Sequence, residues 1–304
     1  MNNLTDFSFI EKMIGDAHQI VSVAMVCPND SHTEWVIDRA LQQGWARFIL
    51  TTAAPLSPHL ANTIEQYKDR IEIVQCADGD QAAATAVSMV REGRAQVLMK
   101  GTINTDNLLR AVLNKQHGLL EEGAVMCHIA VAHIPAYHKL LVFSDAAVVP
   151  QPQLQQFDAI VSHCVSACRR MGVVRPKVAL THCTEKTSEK FPCTICYGQI
   201  KEWASQGRYG DVDIQGPMDV KTAIDAESAA IKGLQGSVAG DADIMIMPDI
   251  EAGNTFYKTI TLLANAQVAG WLAGTTAPVV VASRADSEES KYFSLAMAAM
   301  TSIR

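Results

Sequence analysis

No block of five like charges occurs in this 304-residue chain. That absence removes the basic stripe or cationic helix by which a protein holds nucleic acid or a membrane surface. Apolar runs such as Ile129–Pro135 break off well before the ~18 residues that a membrane span needs. Met1 to Asp16 carries polar and acidic residues and lacks a basic segment leading into an apolar one, so no export signal is read there. No G-x-G-x-x-G follows the first expected strand and no Walker sequence occurs, which weakens dinucleotide and ATP readings. No low-complexity linker and no repeat of ~20–50 residues is visible. Without an export signal, the eight cysteines read as reduced thiols of a cytoplasmic protein.

What is present is ordinary core material, 48% hydrophobic with 19% charged residues and a net charge of −7. An acidic chain still binds anions where a local cleft is positive. The length exceeds the ~100–200 residues of one domain, so two domains are expected. Short apolar runs alternate with amphipathic stretches. Expected strands lie at 20–26, 47–50, 71–75, 96–99, 124–131, 139–143, 177–180, 212–215, 244–247, 268–272 and 278–282. Expected helices lie at 31–43, 79–92, 105–116, 152–171, 194–206, 219–232, 254–265 and 288–301. This alternation, with strands apolar on both faces, predicts an α/β fold of two domains with mostly parallel sheets flanked by helices and facing an inter-domain cleft. The first domain is expected over 1–133 plus 277–304 and the second over 134–276.

Several strand ends carry chemistry. Lys100-Gly101 follows an apolar strand, and Asn104-Thr105-Asp106 opens a helix, which places a cation and a helix N-terminus where open α/β sheets bind ligands. A surface lysine before a plain turn is the competing reading. Gly216-Pro217-Met218-Asp219 joins a strand to a helix, with Asp219 as a natural N-cap. Asp241 and Asp243 precede a strand and serve equally well as loop caps. Pro248 to Asn254 packs Asp249, Glu251, Gly253 and Asn254 into one short loop, dense enough in polar groups for a ligand. Ser283 and Arg284 end the last strand, where a guanidinium fork and backbone N–H groups converge on a small anion. Asp286 with Glu289 three residues on also resembles a capping box. Cys193 and Cys196 form a C-x2-C pair, with Cys164, Cys168, Cys183, His163 and His182 elsewhere. There is no second such pair, so free thiols are favoured over structural zinc.

Taken together these segments resemble the phosphate acetyltransferase/phosphate butyryltransferase family, the butyryl branch more closely. The stretches that carry the resemblance are Leu98 to Gly101, Thr105 with Leu108 to Lys115, Gly216-Pro217 with Asp219, Val238 to Ile244, Pro248 to Asn254, and Ala277 to Ser287. The resemblance covers roughly residues 15 to 304. It implies two α/β domains like those of isocitrate and isopropylmalate dehydrogenases, and the reaction acyl-CoA + phosphate = CoA + acyl phosphate through a ternary complex. Butyryl or branched short acyl groups are implied, with coenzyme A as substrate and no metal or organic cofactor. Small molecules are the expected partners, with neither nucleic acid nor membrane, in a homodimer or higher homo-oligomer. Ser283 and Arg284 match the family's catalytic serine–arginine pair. Ungapped counting puts Ser290 where the acetyl branch has its acid, which leaves Asp286 or Glu289 as base; Asp286 is taken as the third catalytic residue. Lys100, Gly101, Asn104, Thr105, Gly216, Pro217, Asp241, Glu251, Gly253 and Asn254 are the implied substrate-binding residues. Two other readings are carried: a metal- and NAD-dependent decarboxylating dehydrogenase using Asp241, Asp243, Asp249 and Glu251, and a non-catalytic module that binds CoA or acyl phosphate.

Overall fold

Strand β1 (Val21–Val26) is buried at all its positions, as an apolar strand with both faces covered must be. A computed structural model describes residues 4–283 and 286–303. The chain divides into two units, Phe7–Ala124 with Ala269–Arg304, and Met1–Asp6 with Val125–Val268. In chain order the first unit begins with α1 (Ser8–Asp16), β1, α2 (Ser31–Gln42), β2 (Ala46–Thr52), α3 (Pro58–Gln66), β3 (Ile71–Gln75), α4 (Gly79–Arg91), β4 (Val97–Lys100) and α5 (Thr105–Val112). The other unit holds β5 (Cys127–His133), β6 (Leu141–Ser144), α6 (Leu154–Arg170), β7 (Lys177–Thr181), α7 (Pro192–Ser205), β8 (Asp213–Met218), α8 (Val220–Ile224), α9 (Ala226–Ile231), β9 (Ile244–Ile246) and α10 (Ile250–Leu263). The chain then returns to the first unit through β10 (Gln267–Ala273), β11 (Val279–Val280) and α11 (Glu288–Ser302).

In the first unit the strand order is β3-β2-β1-β4-β11-β10. The run from β3 to β11 is parallel, and β10 is antiparallel to β11. Register aligns Val26 with Lys100 and Met99 with Val280, so the carboxyl ends of β1, β4 and β11 lie side by side. Helix α11 is buried at every residue from Lys291 to Met300, an all-round apolar helix apart from its first turn. Tyr292 in this helix accepts a hydrogen bond from the Trp45 indole at 3.3 Å.

In the other unit the order is β5-β6-β9-β7-β8, with β5 and β6 antiparallel and the remaining pairs parallel. Its core gathers Phe143, Met218, Val238, Met245, Met247 and Ile260.

Several details depart from the sequence reading. Helices α1 and α3 were not expected, because each is only nine residues long with few buried positions. The segment 219–232 divides into α8 and α9, since Asp225 adopts extended backbone and caps the second helix by accepting from the Ser228 N–H at 2.9 Å. Gly216 and Pro217 lie inside β8 rather than in a loop after it. An edge strand tolerates a proline that has no N–H to donate. Gly216 there has φ of +139°, and a Cβ would overlap Leu180. Among the described residues, no helix is long and apolar enough to cross a membrane.

Candidate active site

A pocket of about 300 Å³ lies at the carboxyl end of β4, with residues that follow β1 and β11 in its lining. Its lining includes Asp30, Ser31 and His32 from the start of α2, Lys100 to Thr102 after β4, Ser283 after β11, and Lys291 from α11. Lys100 is only 6% exposed, and its ammonium donates to the carbonyls of Gly101 at 3.0 Å and Ile103 at 3.1 Å. Lys291 is 7% exposed and lies 3.9 Å from Asp30. Asp30 is itself the N-cap of α2 and accepts from the Thr33 N–H at 3.1 Å. The buried Lys291 ammonium thus faces the Asp30 carboxylate beside a helix N-terminus, and the buried Lys100 ammonium belongs to the same lining, a setting that favours a small anion.

Ser283 sits at the pocket edge, and its N–H donates to the Asp286 carboxylate at 2.7 Å. The N-cap of α11 is Ser287, which accepts from the Ser290 N–H at 3.2 Å. The Asp286–Glu289 capping box is therefore replaced by a serine cap one residue later, and Asp286 holds the turn before the helix. Arg284 lies outside the described residues. Lys291, His32 and Asp30 went unnoticed in the sequence. The available signal was a lysine in the first turn of a helix that is mostly apolar beyond that turn, where the macrodipole disfavours a cation.

Gly101, in the pocket wall, is also required by packing. A Cβ there would collide with the backbone carbonyls of Val26 and Cys27, so the glycine lets β4 exit closely against β1. Asn104 and Thr105, at the start of α5, lie outside this pocket. Asn104 lines a neighbouring cleft with Asp78, Asp80 and Asn107.

In the other unit the carboxyl ends of β7, β8 and β9 open into a cavity of about 910 Å³. Thr181, His182, Cys183, Phe191, Cys193, Cys196, Asp219, Val220, Met247, Asp249 and Phe256 are among its walls. Asp249 caps α10 by accepting from the Ala252 N–H at 2.8 Å, and Asp219 caps α8 while pairing with Lys232 at 2.5 Å. Burial pulls the Asp219 carboxyl upward, but the Lys232 and Thr222 hydrogen bonds override it and hold the group below its usual range. Burial lowers His182 and raises the Cys193 and Cys196 thiols.

The residues after β9 that the resemblance implies as ligands also make contacts within the protein. Gly253 is required by packing, because a Cβ would overlap the Asp145 carbonyl. Asn254 donates to the Ala146 carbonyl at 3.1 Å, and Glu251 is exposed in the first turn of α10. Asp241 lies at the opposite, amino-terminal end of β9. It pairs there with Lys139 and His138, each at 2.8 Å, and with Lys177. Burial opposes ionisation of Asp241, yet the Lys139 and Lys177 hydrogen bonds hold it down at about 2. Strand β9 thus separates Asp241 and Asp243 from Asp249 and Glu251 by roughly 10–13 Å at ~3.3 Å per residue. The four carboxylates expected to mimic a metal cluster are not brought together. Among the described residues, no group of three or more His, Cys, Asp or Glu side chains is placed to hold a metal ion. Cys164 and Cys168 are buried within α6, and Cys193 and Cys196 occupy the first turns of α7.

Open parallel α/β sheets bind ligands beyond the carboxyl ends of their strands, and the buried Lys100 and Lys291 line the pocket there. Residues 53–299 match the family described as Phosphate acetyl/butaryl transferase, and the chain belongs to that family. It is 36% identical to a phosphate butyryltransferase of Clostridium acetobutylicum, over 93% of each chain. It is 32% identical to a phosphate acetyltransferase of Thermotoga maritima, over 96% of this chain and 99% of that one. Among solved structures, a branched-chain phosphotransacylase from Enterococcus faecalis V583 superposes with a TM-score of 0.81 at 29% identity, covering 93% of this chain and 99% of that one.

Proposed function

We propose that this chain exchanges a short acyl group between coenzyme A and inorganic phosphate. The observation that carries the reading is the pocket of Lys100, Lys291 and Ser283 at the carboxyl ends of the first unit's strands. In the direction of acyl-CoA synthesis, the CoA thiolate attacks the carbonyl of an acyl phosphate, and phosphate departs with the bonding electrons. Lys100 and Lys291 stabilise charge on the departing phosphate, and Ser283 donates to the developing oxyanion. Arg284, matched to the family's serine–arginine pair, clamps two phosphate oxygens. Asp286 positions Ser283 through its backbone N–H.

Butyryl or branched short chains are the proposed acyl groups. The same reading takes coenzyme A as substrate with no further cofactor, a cytoplasmic setting, a homodimer or higher homo-oligomer, and a fold shared with isocitrate-type dehydrogenases without their chemistry. The test is release of free CoA from acetyl-, butyryl- and isobutyryl-CoA with and without phosphate, in the presence and absence of EDTA. Release only with phosphate, fastest for the four-carbon substrates and indifferent to EDTA, is expected. Release that ignores phosphate or needs a metal rejects the reading.

A further inference from the structure

Two loops whose residues line the Lys100 pocket meet at one backbone carbonyl, that of Cys27. One loop runs from the end of β1 into the cap of α2, and the other leaves β4 through Gly101 and Thr102. Cys27 is buried and has a backbone φ of +54°, in the left-handed region that a non-glycine residue enters only at a cost. It also precedes Pro28, whose ring further narrows the conformations open to the residue before it. A residue held this way persists where its surroundings over-determine it, and such residues cluster at ligand clamps. The surroundings here are specific. The Cys27 carbonyl accepts from the Asn29 N–H at 2.9 Å, the Thr102 N–H at 2.8 Å and the Thr102 hydroxyl at 3.0 Å. Gly101 completes the contact, since a Cβ there would lie 2.3 Å from the same oxygen.

We propose that Thr102 is a positioning residue of the phosphate pocket: its hydroxyl pins the turn after β4, and with it Lys100, to the Cys27 carbonyl beside the start of α2. This rests on the acyltransferase reading above. A carbonyl oxygen can only accept, so the Thr102 hydroxyl spends its one hydrogen on Cys27 and has none to give a phosphate oxygen. The Thr102 N–H goes to the same acceptor, so both donors of this pocket-lining residue are used within the protein. What they fix is the path of the turn. The Lys100 ammonium is held by the carbonyls of Gly101 and Ile103, the residues on either side of Thr102, so that path decides where the charge stands. On the other side of Cys27, Asn29 leads directly into Asp30, the cap of α2 and the carboxylate near Lys291. One carbonyl therefore sets Lys100 against the start of α2, and a phosphate entering a turn already held meets little ordering cost.

The experiment measures CoA release from butyryl-CoA at varied phosphate for wild type, Thr102→Val, Thr102→Ser and Cys27→Val. It also measures the rise in melting temperature that inorganic phosphate gives each protein. Thr102→Val keeps the branch and loses the hydroxyl. It is expected to raise the KM for phosphate about 3–10-fold, the effect of one neutral hydrogen bond, with kcat and the KM for butyryl-CoA within about twofold. Thr102→Ser keeps the donor and should return the KM for phosphate to within about twofold of wild type. Without phosphate the melting temperature of Thr102→Val should stay near that of wild type, and phosphate should raise it less. Cys27→Val carries a β-branched side chain that resists the left-handed backbone, and it should raise the same KM. The double variant should then be no worse than the worse single one, because both changes undo one contact. Cys27→Thr takes its place if Cys27→Val does not fold. An unchanged KM for phosphate in folded Thr102→Val overturns the proposal, as does an equal rise in Thr102→Ser or a loss of kcat with KM intact. Single effects that multiply in the double variant overturn it as well, since the hydroxyl would then act on phosphate independently of Cys27. A wild type that releases no CoA with phosphate rejects the acyltransferase reading, while phosphate protection of wild type against Thr102→Val still decides whether Thr102 shapes the pocket.

Discussion

Lys291 shows how a single residue separates binding from stability. It is buried in the first turn of α11, at the end of the helix dipole that repels cations, with Asp30 at 3.9 Å and Glu288 and Glu289 in the same turn. Lys291→Met keeps the length and apolar stem of the side chain while removing the charge. The KM for phosphate should rise about 10–100-fold, the loss expected for one charge-assisted hydrogen bond of roughly 1.5–3 kcal/mol, with no fall in melting temperature. Initial rates at varied phosphate check it, and an unchanged KM removes Lys291 from the site. Lys100 was legible in the sequence because lysine beside glycine at a strand end is a poor choice for packing. Lys291 and His32 were not, because their meaning depends on α2 and α11 meeting at the same sheet edge. Asp241 was read as a loop cap and, from the resemblance, as a substrate-binding residue; its partners Lys139, just before β6, and Lys177, at the start of β7, lie too far off in sequence to be read with it.

At the scale of elements, the apolar periodicity located the main strands and the long helices, because both faces of a parallel strand must be buried. It missed α1 and α3, whose short stripes bury two side chains each. It also shortened β8, where Gly216 and Pro217 look like turn residues and only an edge position accommodates them. Glycine within helices carries the same ambiguity, and the packing resolves it. In α7, a Cβ on Gly198 meets nothing within 4 Å, so Gly198→Ala should stabilise by about 0.8–1 kcal/mol through helix propensity alone. In α10, a Cβ on Gly253 would overlap the Asp145 carbonyl, so Gly253→Ala should cost about 1–3 kcal/mol as α10 is pushed away. Urea denaturation of both variants checks the pair. Shifts of the same sign would mean that the close approach of α10 to Asp145 does not constrain the helix.

For the molecule as a whole, acid sensitivity and kinetic order both follow from where its ionisable groups lie. Asp241 has its carboxyl lowered from 3.8 to about 2, so its stabilising effect is complete above about pH 4 and is lost as pH falls toward 2. Asp241→Asn should therefore lower the melting temperature at pH 7 and flatten its decline between pH 4 and 2; an identical acid profile rejects the network as a source of stability. The thiols decide the kinetic order. A covalent relay needs a reactive thiolate beside the phosphate, since the thiolate is the nucleophile. Among the described residues lining the Lys100 pocket there is no cysteine. Burial raises Cys127, Cys164 and Cys168 well above the usual thiol range, and raises Cys193 and Cys196 less strongly. Direct passage of the acyl group from CoA to phosphate, with both substrates bound together, is therefore the expected course. Double-reciprocal plots against butyryl-CoA at several phosphate concentrations should intersect, and acyl label should leave no thioester on the protein when phosphate is omitted. Parallel lines together with a labelled cysteine peptide would instead establish an acyl-enzyme, and the larger cavity's Cys193 and Cys196 would be the first thiols to replace.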